Sequence, residues 1–514
     1  MSLRLIRHFL AIAGGQILNT ISTLLLLPLF LRHWSVLAAG EWVALSGLTN
    51  LLLTLDLGVN SAVNNRLLAA YTRKDTTEYL RCQHSAAAFY LCIAFGATLL
   101  IAMALWLLPA NSYAGVKRSS VPDAPWILWF LALQVVWSLP VGLLGNFYQT
   151  IGDPAKTRWI NNFKALGVLL ITIGALLLSC TMRELAMLQL IPLGLIAIGV
   201  LWDMHRHFPS YLPRLTQANT GVIRELLKPS LMFALIMVAM SMTQQGSVLV
   251  VSTLFGGVAV ITFYAARQLT NLAAQIVRMI AHTAGPDMTI LYAHGDFARL
   301  RLLNRLIVTV SVTLCIAVVS ALWFEGPSVV AAWSHHKIYV DPWFFRLLLL
   351  YLVLQAPWLA NSNVTAAINR HHNQTWSYLA SGILGLACML LLAPHLGLRA
   401  VPVGLIVGEA AASYHFVIRD TCTVIREPYA PYAARLWLGL VGVFSFALGA
   451  GWLVHRIIWG PPVLQWAEVG AATLTASCLA ARFVWISLEE RILLRQKYDV
   501  VRLRLKLPRF PQAA

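Results

Sequence analysis

The sequence predicts an all-α polytopic membrane protein of about 14 transmembrane helices, built as two parallel six-helix repeats followed by two C-terminal helices. Three observations predict it: a composition too apolar for a soluble domain, a series of apolar stretches of membrane-crossing length, and loop charge that alternates between them. Hydrophobic residues make up 59% of the 514 positions and charged residues 11%, with a mean hydropathy of +0.71. A soluble domain carries roughly 25% charged residues, so most of this chain meets lipid or protein rather than water.

A helix needs about 20 apolar residues to cross the hydrocarbon. Such stretches lie at 9–31, 42–63, 86–108, 126–150, 161–180, 184–204, 230–254, 256–282, 303–324, 343–366, 376–394, 398–418, 435–456 and 463–486, here spans 1 to 14. The start, Arg4 and Arg7 ahead of an apolar run, resembles a secretion signal, but the run is too long for a cleaved segment and reads as span 1. The close pairs around Gly256-Gly257 and His395-Leu398 are the places where two spans can be taken for one.

The net charge is +18 with a pI of about 9.9. In a soluble protein that balance points to nucleic acid; here it belongs to loops. With the N-terminus inside, the inner segments collect clusters such as Arg66, Arg73, Lys74, Arg81 and Lys156, Arg158, Lys164. They total about 27 Lys and Arg against 8 outside, the asymmetry of cytoplasmic loops. Both termini are therefore expected in the cytoplasm. The tail from Arg491 to Arg509 interleaves basic residues with Leu and Val, and is expected to lie against anionic lipid.

Seven scattered cysteines form no CxxC pair and read as small core residues. No nucleotide-binding loop or HExxH motif occurs, and the longest external candidate loop runs only from Pro109 to Pro125. The sequence therefore predicts no enzyme, no cofactor, no metal site and no nucleic-acid partner.

A shift of 221 residues places Leu48-Thr49-Asn50-Leu51 on Leu269-Thr270-Asn271-Leu272, Tyr71 on Tyr292 and Asp75 on Asp296. At the same offset Leu133–Trp137 meets Leu354–Trp358. Six helices separate the halves, an even number, so they share one orientation: a parallel repeat, as in transporters whose site lies between halves. The expected organisation is an N-terminal lobe at 1–210, a C-terminal lobe at 211–430, a terminal helix pair at 431–488 and a basic tail at 489–514.

Pro28-Leu29-Phe30-Leu31-Arg32 closes span 1, Gly40-Glu41-Trp42 opens span 2, and Leu55-Asp56-Leu57-Gly58 lies within it. This order resembles the Wzx-type polysaccharide and O-antigen flippases of the multidrug/oligosaccharidyl-lipid/polysaccharide (MOP) exporter superfamily. The Leu-Gly usual after the arginine is replaced by His33-Trp34-Ser35, and no tyrosine precedes Gly40. The resemblance implies a MATE/MOP-like fold, two lobes that open alternately to each face of a bacterial inner membrane, and helices 13 and 14 outside the repeat. It implies an undecaprenyl-diphosphate-type lipid-linked oligosaccharide as cargo, and polysaccharide polymerase or export machinery as partners. The coupling ion, proton or sodium, stays open.

Span 8 carries Arg267, Asn271, Gln275, Arg278 and His282 at helical spacing, within an arc of roughly 80°. A polar stripe on an apolar span faces protein or water. Arg267 lies some 16 Å from the outer end, near the midplane, and either lines a cavity or pairs with a carboxylate. An arginine fork suits a diphosphate because it bonds bidentately and stays charged. Asp56, with Asn60 on the same face, is either a cavity wall or a carboxylate bonded to backbone freed near Gly58. Glu409 in span 12 reads as a structural group. Gln16 and Asn19 in span 1, and Gln244 and Gln245 in span 7, are candidates for sugar contact or interhelical bonding. Arg32 anchors span 1 or meets cargo.

Two alternatives stand beside the oligosaccharide flippase. A MATE-like multidrug or metabolite antiporter usually has twelve spans and acidic cavity residues, whereas span 1 here has no carboxylate. A lipid II-type precursor flippase shares fourteen spans and a cationic cavity, but its arginine pattern in helices 1 and 2 is not matched.

Overall fold

The computed structural model describes residues 3–107, 112–113, 115–117, 120–368, 370, 372–457 and 460–485. The basic tail from Arg491 to Arg509 lies outside the described residues, as does the side chain of His282.

Among the described residues eleven helical stretches are long and apolar enough to cross a membrane, making this a multi-pass membrane protein. Two of them are too long for one crossing: Phe233–Ala281 has 49 residues and His372–Ile425 has 54. The first breaks at Gly256, whose φ of 78° and ψ of 179° are open almost only to glycine. The second breaks at the 3-10 turn Gly397–Arg399. Pro462–Val484, which carries Glu468 and Arg482, adds a further, less apolar helix. The helices are α1 Leu3–His33, α2 Val36–Thr72, with a kink, α3 Thr76–Leu107, α4 Ala124–Thr150, α5 Pro154–Leu177 and α6 Met182–His207. They continue with α7 at residues 220–255 and α8 at 257–283, α9 Phe297–Trp333, α10 Pro342–Ala367, α11 His372–Leu396, α12 at 400–425, α13 Tyr429–Ile457 and α14 Pro462–Val484. Between α3 and α4 a small antiparallel hairpin pairs β1 Ser112–Tyr113 with β2 Val116–Lys117.

Helix ends repeat along the chain. A short helix, Gly285–Ala293, follows α8, so Thr72 and Ala293 end equivalent stretches, and Thr76 and Phe297 start the next helices, both pairs 221 residues apart. From α4 onward the spacing is 218, shared by Ala124 and Pro342, Pro154 and His372, and Met182 and Ala400. Helices α1–α6 and α7–α12 therefore run in the same order and direction, with α13 and α14 outside the repeat. Pro140 and Pro357 interrupt α4 and α10 at nearly equivalent places. The match of Leu133–Trp137 to Leu354–Trp358 falls about one turn out of this register and is a coincidence of two apolar helices.

The chain folds as two compact units: residues 1–268, 328–344 and 378–408, and residues 269–327, 345–377 and 409–514. Lipid supplies no hydrophobic drive between helices, so small residues and polar bonds set the packing. In the first unit a Cβ on Gly40 would lie 1.8 Å from Gly257 O, so the Gly-Glu-Trp opening of α2 is a helix crossing that only glycine permits. At one end of this unit Tyr79 bonds Thr150 at 2.5 Å and stacks edge-on with Tyr211. In the second unit Asn361 accepts from Asn304 and from the Tyr432 hydroxyl at 3.0 and 2.7 Å, all three buried. Arg305 pairs there with the buried Glu427.

Candidate functional site

The Asp-Leu-Gly sequence sits where α2 bends. After Asn50 the helix tightens to a 3-10 turn, Leu51–Asp56, and Leu57 and Gly58 both take left-handed backbone, with φ of 48° and 66°. A Cβ on Gly58 would meet Phe233 Cβ at 2.4 Å and Ser230 O at 2.6 Å, so α7 crosses α2 at the bend. Asp56 is buried, and its carboxylate accepts from the Tyr90 hydroxyl at 2.6 Å. That bond ties the bend of α2 to α3 just ahead of the restarting helix. Asn60 Oδ1 accepts from Asn146 at 3.0 Å and from Asn64 at 3.5 Å, tying α2 to α4.

Arg267 lies half-buried on α8. It donates through Nη1 to Gln244 O at 2.7 Å and Ser247 Oγ at 3.2 Å, and its guanidinium carbon lies 4.8 Å from the Phe263 ring centroid. Gln244 and Gln245 belong to a π-turn, Met242–Gly246, within α7. The partner of Arg267 here is the Gln244 carbonyl, while the Gln244 side chain is exposed. Gln245 is half-buried, facing Gly47 of α2. Asn271 and Gln275 are half-buried and Arg278 is exposed, all on the part of α8 that belongs to the second unit.

Lys164, counted above with the inner charges, falls inside span 5 and lies on α5. Asp153 caps Lys156 N and Pro154 opens α5, so Lys164 sits ten residues, about 15 Å, into the helix. It follows the polar first turns that carry Lys156, Arg158, Asn161 and Asn162, and stands where the apolar run from Ala165 begins. It is half-buried and makes no hydrogen bond or ion pair with any described residue. The Asp-Pro pair is a helix-start signal, and reading it would have moved the span start from 161 to 154.

Glu409 opens a second π-turn, Glu409–Ser413 in α12, and is buried. Its Oε1 accepts from Tyr351 at 3.4 Å and Gln355 at 3.3 Å, both on α10, so two neutral donors hold it in the second unit. On α1, Gln16 is half-buried and Asn19 exposed; their backbone carbonyls accept from Thr20 and Thr23. Arg32 is exposed at the end of α1, where Lys337 Nζ reaches Leu31 O at 2.5 Å. The structure therefore gathers Arg267 with Gln244 O and Ser247 Oγ in the first unit, and ties Asp56 to Tyr90 and Asn60 to Asn146 there. Among the described residues no group of three His, Cys, Asp or Glu is placed to hold a metal ion.

No protein-family model matches the sequence, and no curated protein matches it. Solved structures do. A structure of the lipid II flippase MurJ in an inward closed conformation aligns with 93% of this chain and 98% of its own, at 12% identity and a TM-score of 0.70. An inward-facing multidrug-resistance MATE transporter of the MOP superfamily aligns with 80% of this chain and 96% of its own, at 15% identity and a TM-score of 0.67. A MOP-superfamily transporter from Pyrococcus furiosus, described as having a binding pocket of reversed polarity, aligns with 83% and 96%, at 15% identity and a TM-score of 0.59. The chain has the fold these transporters share.

Proposed function

We propose that this chain is a MOP-superfamily flippase that moves a polyprenyl-diphosphate-linked oligosaccharide from the cytoplasmic to the outer leaflet of a bacterial inner membrane, for surface polysaccharide biosynthesis. The observation that carries the reading is Lys164, an ammonium about 15 Å into α5 without a partner among the described residues. A half-buried lysine on a membrane helix is costly and faces protein or a water-filled cavity, and in this reading an anionic cargo neutralises it. Arg267, on α8, adds a guanidinium whose fork suits a phosphate.

In this reading the N-terminal lobe, residues 1–210, and the C-terminal lobe, residues 211–430, alternate in access, while residues 431–488 flank them. Lys164 and Arg267 take the diphosphate, amides such as Gln244, Gln245, Gln16 and Asn19 meet sugar hydroxyls, and the polyprenyl tail stays in lipid. Loop charge supports cytoplasmic termini. The chain carries its cargo without transforming it. A lipid II-type precursor is the second reading, favoured by the length over which the MurJ structure aligns. A cationic-drug antiporter is disfavoured, because Lys164 repels cationic cargo.

The test is a deletion strain complemented with wild type, Lys164→Met or Arg267→Ala, analysed for lipid-linked intermediates and surface glycan. The expected result is accumulated intermediate and lost surface glycan in the deletion and in both variants. Normal glycan without accumulation, in a strain lacking a redundant flippase, rejects the reading. Arrested peptidoglycan with intact surface glycan selects the lipid II alternative.

A further inference from the structure

The π-turn of α7 and the arginine that holds it form one unit. A π-turn carries an extra residue in one turn and leaves the regular bonding ladder. The Gln244 carbonyl accepts from the Ser247 hydroxyl at 3.2 Å and from Arg267 Nη1 at 2.7 Å. Ser247 Oγ is shared between Thr243 O at 2.8 Å and the same guanidinium at 3.2 Å. Glycines flank the segment: Gly47 of α2 faces Gln245 and Val248, and Gly382 of α11 faces Met242 and Thr243. A Cβ at Gly47 would stand 3.2 Å from Val248, and one at Gly382 would stand 3.4 Å from Met242. The turn is therefore packed closely against glycine backbone on two sides.

Resting on the diphosphate reading above, the geometry points to the π-turn as the element that registers an anion on Arg267. A phosphate oxygen is a stronger acceptor for a guanidinium than a carbonyl, and it prefers two parallel N–H donors. Turning that fork toward an anion takes Nη1 from Gln244 O and Ser247 Oγ together. The carbonyl then loses its charged donor, and the π-turn loses one of the bonds that hold it in place. Sliding a π-turn by one residue rotates the residue it passes by about 100°, which re-aims the amides of Gln244 and Gln245. Anion binding on α8 is thereby converted into a change of sugar-facing surface on α7.

The experiment is hydrogen–deuterium exchange of the 239–250 segment in the full-length protein in lipid nanodiscs, with and without inorganic pyrophosphate, whose binding is measured separately by calorimetry. The expected result is a five- to tenfold rise in exchange on pyrophosphate binding, about the loss of one net hydrogen bond. Arg267→Lys, which keeps the charge and loses the fork, should exchange faster without ligand and respond little to it. Ser247→Ala should raise basal exchange and keep the response. Pyrophosphate that binds while the wild-type segment stays unchanged overturns this inference and leaves the cargo reading standing. Wild type that binds no pyrophosphate overturns both.

Discussion

Replacing Gly58 by alanine tests whether the Asp-Leu-Gly bend is a steric requirement. Gly58 sits at φ 66°, where an L side chain costs about 1–2 kcal/mol. Its new Cβ would meet Phe233 Cβ at 2.4 Å, Ser230 O at 2.6 Å and Ala234 N at 2.7 Å. Two of these atoms are backbone and the third is a Cβ, so none moves by a rotamer change. Overpacking of this kind costs about 1–3 kcal/mol. The sum is a loss of about 2–5 kcal/mol from these two sources. The assay is a thermal melt of purified protein in one detergent, followed by tryptophan fluorescence and by the surviving monodisperse fraction. Gly174→Ala is the control: it lies inside α5 with nothing within 4 Å of its Cβ, and should be neutral or up to about 1 kcal/mol more stable. A Gly58→Ala protein that melts with wild type would refute the reasoning and return the motif to a role in cargo contact.

Three further outcomes follow from particular groups. Lys164→Met should raise melting stability by about 1–2 kcal/mol, because a half-buried charge leaves the apolar part of α5, while glycan export fails; a destabilised variant would mean that the ammonium has a structural partner. Asn361→Ala should cost about 1–3 kcal/mol by removing the acceptor that Asn304 and Tyr432 share and leaving them only their 3.3 Å bond to each other, read as an earlier detergent melt; an unshifted melt would show that water takes its place. Asp341, ahead of α10, bonds Arg399 at 2.7 Å, and that guanidinium, helped by the Phe344 N–H, holds its carboxyl below the usual carboxylate range. Since the folded value is depressed, its stabilisation is full above the unfolded value of about 3.9 and is lost as pH falls through the folded one. Asp341→Asn should therefore melt slightly earlier than wild type at pH 7, with the gap closing as the pH drops below about 4; a gap independent of pH would assign the effect to packing.

The architecture was legible because it follows from length and charge. Each span announces itself by about 20 apolar residues, and the two close pairs separate at Gly256 and Gly397–Arg399, the positions marked by glycine. The bend at Leu57-Gly58 was half legible: glycine signals a break, but the choice between Asp56 as a group bonded within the fold and Asp56 as cavity wall depends on Tyr90, thirty-four residues away. The repeat was legible at α2 and α3 and misleading at α4, since three residues of offset are lost between α3 and α4, where only the first half carries the β1–β2 hairpin. Arg267 was found from its stripe, yet its carbonyl partner arises from a π-turn, which has no sequence signature. Lys164 was counted with the inner charges although it falls inside span 5, and the Asp153-Pro154 start of α5 was not weighed against that count.

Lys164 also sits inside an electric field. A membrane potential does about 2.3 kcal/mol of work per 100 mV on one charge carried fully across. A charge inside the core feels a part of that drop. If α5 slides by one helical turn of about 5.4 Å along the normal of a 30 Å core, the ammonium gains or loses roughly 0.4 kcal/mol per 100 mV. Every conformational step that shifts α5 thus acquires a voltage dependence of fixed sign, and a bound diphosphate, by outweighing the ammonium, reverses it. An energised membrane would then drive the empty and the loaded protein in opposite directions through the same motion.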